Sequence, residues 1–482
     1  MIALANRAAL LSLSRLANYG LMLISPIVLV RVFSVAQFGE YRKFLLYASL
    51  LQWFGTFSSY DSLLYFVPAT PQSPWRVVRQ TTLFTLMSST ILVGLFLIAD
   101  IASGGAIAGE YRLQLALHAL LYVNLDFWEF FLLATHRPMA MLTYTATRLA
   151  ARMLVAIGVA TLTRDVMTVI WSLIAIEGAR LIVSAIAWRR LDRSNQEPPL
   201  SPTSWRERLR FCTPTGMAVI LTYSGRSLSD IAVAHVLGAA RLAQYTVGRY
   251  ADPIIVTVRN SISAAILPEM VRQERVQQTS PLVLWQRATV INAMLLLPIA
   301  MILLVLAEPL IVGVFGADYR PAAVVMRIYA LVLVRECFDF GPAMRALNRT
   351  DPLMRSSLLG LLTGGVTLYF LLPILGIAGG MIALVCATYV ECIYLGWRVK
   401  GLYKVRLRDL VPWRRIGKTA LAALLASPVL VAGGWFDTFG LIGSILAAGL
   451  YVAIFAAILY VSRIPEALLM FNWSKSLLRA IG

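Results

Sequence analysis

Long apolar segments alternate with short polar connections along almost the whole chain. Most of these segments contain about 20 residues, the length that an α-helix needs to cross about 30 Å of hydrocarbon. The pattern predicts an all-α polytopic membrane protein with about 14 transmembrane helices. The predicted spans are residues 10–32, 43–66, 80–101, 113–134, 139–162, 167–188, 212–236, 243–266, 287–308, 321–344, 355–373, 377–398, 417–436 and 440–461.

Basic residues divide the loops between these spans into two sets. One set contains Arg42, Arg112, Arg164, Arg241 and Arg320, whereas the other set contains the many remaining loop arginines and lysines. Cytoplasmic loops carry such an excess of basic residues, so both termini are predicted to lie in the cytoplasm. Topology therefore explains the net charge of +19 better than nucleic-acid binding does.

A short motif occurs twice and indicates an internal duplication. RVFSVAQFGEY, Arg31 to Tyr41, follows the first predicted span, and HVLGAARLAQY, His235 to Tyr245, follows the seventh. Because both copies follow an outgoing span, the two halves are predicted to have the same orientation. Parallel repeats of this kind are used by alternating-access transporters.

The two longest cytoplasmic loops divide the predicted spans into groups of six, six and two. We predict an N-terminal six-helix lobe at 1–188, a cytoplasmic linker at 189–211, a C-terminal six-helix lobe at 212–398, and a basic loop with helices 13 and 14 at 399–482. The linker contains the proline-rich sequence EPPLSP, which is typical of a flexible connection.

Composition excludes most soluble functions. The chain is 59% hydrophobic and 14% charged, whereas soluble domains are about 45–50% apolar and about 25% charged. No GxxxxGK[ST] motif is present, the four cysteines show no CxxC spacing, and the three histidines are scattered. We therefore predict no catalytic residue, no metal site and no bound cofactor, and we do not expect an enzyme.

Arginines near the middle of predicted spans carry the strongest functional signal. A charge at this depth costs from about 2.5 to over 10 kcal/mol, so such residues face protein or water. Arg148 and Arg152 are four residues apart on one helix face, and no acidic residue lies within helical reach in the same span. Asp126 and Glu129 of the preceding helix, or an anionic ligand, must neutralise this pair.

Other arginines have a carboxylate three or four residues away, which is compatible with simple ion pairing within a helix. These pairs are Arg226 with Asp230, Glu177 with Arg180, Arg249 with Asp252, and Arg335 with Asp339. Arginine also binds phosphate oxygens bidentately. The candidate substrate-binding residues of a cationic cavity are therefore Arg148, Arg152, Arg226, Arg335, Arg249 and Arg31, and candidate residues for coupling to H⁺ or Na⁺ are Asp126, Glu129, Asp230 and Glu391.

Two segments resemble a known family. Arg31, Phe38, Gly39 and Tyr41 match the "aR-x-L-x-x-x-x-F-G-x-Y" pattern of polysaccharide-repeat flippases of the Wzx type, although Phe33 and Ser34 replace the usual leucine and glycine. VFGADYRPAA, Val314 to Ala323, resembles the "ifG-x-x-Y-x-x-A" element of the same family. These flippases are part of the multidrug/oligosaccharidyl-lipid/polysaccharide exporter superfamily.

The resemblance implies two six-helix lobes around a central cavity, with the last two helices beside a groove for a lipid tail. It implies translocation of undecaprenyl-diphosphate-linked oligosaccharide repeat units across the bacterial inner membrane, for surface polysaccharide or exopolysaccharide assembly. Polymerase and chain-length components of such a pathway would then be partners, together with membrane lipids. The alternatives are a multidrug or small-organic-cation exporter of the same fold and, with less support because the outer loops are short, a membrane polysaccharide polymerase or ligase.

Overall fold

The computed structural model describes residues 24–69, 74–135, 137–192, 203–275, 280–347, 349, 351–432 and 440–467. These residues form helices and short connections, with no strand among them. The all-α prediction is therefore confirmed. The helices group into two compact units, Met1–Ala243 and Gln244–Gly482. The boundaries of the predicted lobes, linker and C-terminal region stay predictions.

The first unit begins with helical residues 24–32 and continues through eight further α-helices. They are α1 (Val35–Thr56), α2 (Ser59–Ala69), α3 (Pro74–Ala102), α4 (Arg112–Leu125), α5 (Phe127–Ala134), α6 (Pro138–Thr163), α7 (Val166–Asp192) and α8 (Thr203–Ala232). A short π-helix, Val233–Leu237, follows α8 and leads into α9 (Ala239–Gly248), whose last residues belong to the second unit.

The second unit contains the remaining described helices. They are α10 (Asp252–Arg275), α11 (Leu282–Val305), α12 (Ala307–Phe315), α13 (Ala322–Glu336), α14 (Gly341–Ala346), α15 (Asp351–Leu375), α16 (Ile377–Tyr403), α17 (Leu407–Leu410), α18 (Trp413–Ala426), α19 (Pro428–Ala432) and α20 (Gly440–Val461).

Eight helical segments of the described chain are long and apolar enough to cross a membrane. They are Pro74–Ala102, Gly109–Ala134, Met139–Thr163, Val166–Arg189, Leu282–Val305, Asp351–Leu375, Ile377–Tyr403 and Gly440–Val461. Each coincides with a predicted span, and the protein is a multi-pass membrane protein. The count of about fourteen spans and the cytoplasmic position of both termini stay predictions.

Several other predicted spans are interrupted helices. The span at 43–66 breaks at Phe57 and Ser58, whose φ angles are 46° and 56°. The span at 243–266 is divided between α9 and α10, and the span at 321–344 is divided between α13 and α14. The first predicted span lies largely outside the described residues.

The first copy of the duplicated motif starts a helix through its own side chains. The Ser34 hydroxyl accepts a hydrogen bond from the Gln37 amide at 3.3 Å, and the Gln37 side chain accepts one from the Ser34 amide at 3.0 Å. This reciprocal capping box satisfies two amides that a helix start leaves without partners. In the second copy Gly238, with φ of 85°, takes the place of Ser34 immediately before α9.

The two copies of the motif contact each other at Gly39. A Cβ atom on Gly39 would lie 2.0 Å from the carbonyl oxygen of Ala239 and 3.0 Å from the amide nitrogen of Ala240. Only glycine fits this approach, because the neighbouring atoms belong to backbone and cannot rotate away. The glycine of the first copy is therefore required for α1 to meet the start of α9.

Replacing Gly39 with alanine is expected to lower the thermal stability of the detergent-solubilised protein. The added methyl group must displace backbone, and such overpacking costs about 1–3 kcal/mol. Gly94→Ala is the matched control, because a Cβ atom there meets nothing within 4 Å. Unfolding midpoints measured side by side should fall only for Gly39→Ala. Equal midpoints for the two variants would contradict the close approach.

Candidate functional site

Three helices of the first unit bring six ionisable side chains together. Asp126 lies at the junction of α4 and α5, and Glu129 lies in the first turn of α5. Arg148 and Arg152 project from one face of α6, and Glu177 and Arg180 are on α7. We call this group the N-terminal charge cluster.

Carboxylates of the preceding helix neutralise Arg148. Its guanidinium contacts the Asp126 carboxylate closely and lies 3.4 Å from Glu129 Oε2. The Gln52 side chain of α1 donates a further hydrogen bond of 2.9 Å to Asp126. The sequence left open whether these carboxylates or an anionic ligand neutralise Arg148, and in the structure the two carboxylates contact it.

Glu177 is the shared partner of the other two arginines. It lies 3.2 Å from Arg152 Nη1, contacts Arg180 closely, and is fully buried. Arg180 also donates to the Tyr144 hydroxyl at 2.7 Å and to the Leu125 carbonyl at 3.1 Å. Glu177 therefore joins α6 to α7, a role that its spacing from Arg180 alone did not predict.

An aromatic ring completes the cluster. The Tyr122 centroid lies 4.8 Å from the guanidinium carbon of Arg152, 5.8 Å from that of Arg148 and 5.9 Å from that of Arg180. Such distances allow cation–π attraction. Three arginines and three carboxylates balance, so the named ionisable groups of this cluster carry no net charge.

A second cluster of the same kind occupies the second unit. Arg259 contacts Glu336 closely and lies 3.9 Å from Asp339. Arg335 lies 3.0 Å from Glu336 and 3.7 Å from Glu391, and it donates to the Thr388 carbonyl at 3.1 Å. We call these five residues the C-terminal charge cluster. Arg335 therefore pairs with Glu336 and Glu391 and not, as its spacing predicted, with Asp339. The reason is that α13 ends at Glu336, so Arg335 and Asp339 are not on one continuous helix.

The acidic residues of the two clusters reveal a second repeated motif. Asp126-Phe-Trp-Glu129-Phe in the first unit corresponds to Glu336-Cys-Phe-Asp339-Phe in the second. Each copy lies at a break, between α4 and α5 or between α13 and α14. This similarity supports the duplication inferred from the first motif.

The other predicted residues lie elsewhere. Arg249 is 3.9 Å from Asp252, as its spacing predicted, and Asp252 accepts a 2.7 Å hydrogen bond from Tyr329. Arg226 is an exposed residue of α8, whereas Asp230 is half-buried. Arg31 is exposed just before α1.

An aromatic pair lies one helical turn from Arg226. The rings of Trp53 on α1 and Tyr223 on α8 stack with centroids 4.0 Å apart and planes inclined by 15°. Tyr223 and Arg226 are three residues apart and so share one helix face.

Sequence reasoning missed several members of the two clusters. Arg259 is a mid-helix arginine followed by Asn260 and Ser261, the same type of signal that identified Arg226. Glu336 was overlooked because it is adjacent to Arg335, a spacing at which helical side chains diverge. Tyr122 and Tyr144 gave no signal, since an aromatic residue fits an apolar span whether or not it contacts a charge.

A family model described as "Polysaccharide biosynthesis protein" matches residues 28–324. The chain belongs to this family. The matched region includes both segments on which the family resemblance was based, so that interpretation is confirmed. No curated protein matches the chain.

Solved structures of a flippase and of a multidrug transporter share the fold. The lipid II flippase MurJ in an inward closed conformation has a TM-score of 0.63 at 13% identity, over 94% of this chain and 99% of that chain. An inward-facing multidrug resistance MATE family transporter of the MOP superfamily has a TM-score of 0.51 at 12% identity, over 80% of this chain and 95% of that chain. The chain thus has the fold of flippases and transporters.

Glu177→Gln is expected to destabilise the protein strongly. Removing one partner of a buried ion pair leaves an uncompensated charge, at a cost of about 3–5 kcal/mol. Glu308→Gln is the control, because the side chains of Glu308, Arg320 and Arg327 are 44%, 66% and 42% exposed, and surface pairs contribute only about 0–1 kcal/mol. Thermal unfolding and membrane abundance of both variants check this. Equal stability of the two would mean that the cluster is solvated.

Proposed function

We propose that the protein translocates undecaprenyl-diphosphate-linked oligosaccharide repeat units from the cytoplasmic to the periplasmic leaflet of the inner membrane. Membership of the polysaccharide biosynthesis family over residues 28–324 carries this proposal. The shared fold with a flippase of a lipid-linked substrate, over nearly the full length of both chains, supports it. Alternating access of the two duplicated halves is the proposed mechanism, and it needs no nucleotide.

We assign the first contact with the diphosphate to Arg226. An exposed arginine near the middle of a predicted span is costly in hydrocarbon, so its side chain must face water. The arginines of the two charge clusters are instead already engaged by carboxylates of the protein. Arg226 is therefore better placed than the arginines of the charge clusters to bind a phosphate oxygen pair from solution.

The stacked Trp53 and Tyr223 rings are the proposed contact for the sugars. The C–H face of a sugar ring is apolar and complements the electron-rich face of an aromatic ring. Their position one turn from Arg226 matches a substrate in which sugar and diphosphate are covalently joined.

Coupling to a proton links the charge clusters to this function. Protonation of Asp126 or Glu129 would remove the carboxylate charge that holds Arg148 and make its guanidinium available to an anion. Asp230 and Glu391 stay candidates for the same role, and Na⁺ is the alternative coupling ion. In this scheme Arg148 and Arg152 contribute to substrate binding only in the protonated state.

Deletion of the gene tests the proposed cargo. The deletion strain should lose surface polymer and accumulate the undecaprenyl-linked oligosaccharide on the cytoplasmic side, which lipid extraction with mass spectrometry detects. A multidrug exporter of the same fold would instead leave the polymer unchanged and raise sensitivity to organic cations.

Arg226→Gln is expected to reduce polymer output about ten-fold or more, because a charge-assisted contact contributes about 1.5–3 kcal/mol. Arg226→Lys should recover part of the output, since lysine keeps the charge but not the bidentate geometry. Arg272→Gln is the control, because Arg272 is exposed and paired with Glu269 at 2.7 Å. Wild-type output from Arg226→Gln at normal abundance would remove Arg226 from the site.

Trp53→Leu is expected to lower polymer output about three- to ten-fold, because aromatic contacts add about 0.5–1.5 kcal/mol beyond burial. Trp53→Phe should retain most of the output. Polymer quantification at matched membrane abundance checks both variants. Equal outputs from leucine and phenylalanine would show that Trp53 acts only by its bulk.

A further inference from the structure

The connection between α16 and α18 presents a dense group of positive charges. The exposed basic residues of this connection and of the first turns of α18 are Lys404, Arg406, Arg408, Arg414, Arg415 and Lys418. We call this group the basic platform. It begins immediately after the membrane-crossing segment Ile377–Tyr403, so it lies where that segment leaves the bilayer.

The backbone beneath these charges is fixed to the second unit. Leu410 and Val411 are buried at 0% and 5% exposure. The Gln286 side chain of α11 donates to the carbonyls of Asp409 at 2.8 Å and Leu410 at 3.1 Å. The charges are therefore held in place, and binding an anion on them requires little ordering of the chain.

Few acidic groups in the described structure offset the platform. Asp409 is exposed and lies 3.9 Å from Arg408 Nε. Glu466, which is buried, pairs with Arg415 at 2.7 Å and so joins α18 to the chain that follows α20. Together, these two carboxylates and the six basic side chains of the platform carry a formal excess of four positive charges.

Two large apolar side chains lie among these charges. Leu407 is 53% exposed and Trp413 is 51% exposed. Tryptophan favours the boundary between hydrocarbon and headgroups, and basic residues favour anionic headgroups at the same depth. A soluble phosphate ligand has no apolar part that could contact Leu407 and Trp413.

We propose that the basic platform is a binding site for anionic phospholipid. Arg406, Arg408 and Arg414 contact the phosphodiester headgroups, while Leu407 and Trp413 enter the adjoining acyl region. The lipid thereby holds the α16–α18 connection at the membrane surface. This site is distinct from Arg226 and from both charge clusters, and it does not depend on the cargo proposed above.

The test measures lipid retained by the full-length protein extracted from mixed bilayers of phosphatidylcholine and phosphatidylglycerol. Native mass spectrometry of the monodisperse protein should show phosphatidylglycerol enriched over phosphatidylcholine. The triple variant Arg406→Gln, Arg408→Gln, Arg414→Gln should lose this enrichment, with apparent affinity falling about five-fold for each charge removed. High salt should weaken the wild-type enrichment in the same direction.

The matched control removes the same net charge elsewhere. Arg272, Arg320 and Arg327 are exposed and ion-paired outside the platform, so their triple glutamine variant should keep the enrichment. A triple lysine variant of Arg406, Arg408 and Arg414 should also keep it, because charge is retained. If the triple glutamine variant does not yield monodisperse protein, Lys404→Gln alone should reduce the enrichment.

Three results would overturn the proposal. Unchanged enrichment in the platform variant would show that the lipid binds elsewhere. An equal loss of enrichment in the control variant would show that only the net charge of the protein matters, and not the position of the platform. Displacement of the lipid by inorganic phosphate, or by a short oligonucleotide, at concentrations matching the lipid phosphate would identify a site for soluble anions instead.

Discussion

The need to neutralise charge within a low-dielectric interior governs the first unit. Asp126, Arg148, Arg152, Glu177 and Arg180 are each too costly to bury alone, and each finds its opposite charge on a neighbouring helix or turn. Apolar packing gives little preference between helix partners in a membrane, since lipid tails are as apolar as leucine side chains. The ion pairs therefore help to select α6 as the partner of the α4–α5 junction and α7 as the partner of α6. They also fix how each of these helices is aligned along its neighbour.

The sequence predicted the helices much better than their interruptions. Hydrophobic length placed all eight of the apolar membrane segments, because a span must be about 20 residues long wherever it occurs. The break at Phe57 and Ser58 had no such signal, since neither residue is glycine or proline and both adopt positive φ only within the folded protein. Ion pairs within one helix, such as Glu177 with Arg180, follow from spacing. Pairs between helices, such as Arg152 with Glu177, depend on packing that one sequence does not reveal.

The two charge clusters resemble each other more closely in their carboxylates than in their arginines. The acidic pairs Asp126 with Glu129 and Glu336 with Asp339 recur at the same kind of helix break. Their arginine partners come from α6 and α7 in the first unit, but from α10 and α13 in the second. A break frees backbone groups and interrupts helical spacing, so a carboxylate there can reach arginines on several helices. The position of the acidic motif thus determines where each cluster lies, whereas the arginines of the two clusters come from different helices.

The depth of an arginine in a predicted span does not by itself decide whether its guanidinium is open to an anion. Arg148 and Arg226 are both predicted near mid-span, and from the sequence Arg148 was the stronger candidate because it lacked a partner in its own helix. In the structure Arg148 is enclosed by Asp126, Glu129 and Tyr122, whereas Arg226 is exposed. Local spacing measures only the partners within one helix. In a bundle of helices, carboxylates on neighbouring helices also decide how open a guanidinium is to an anion.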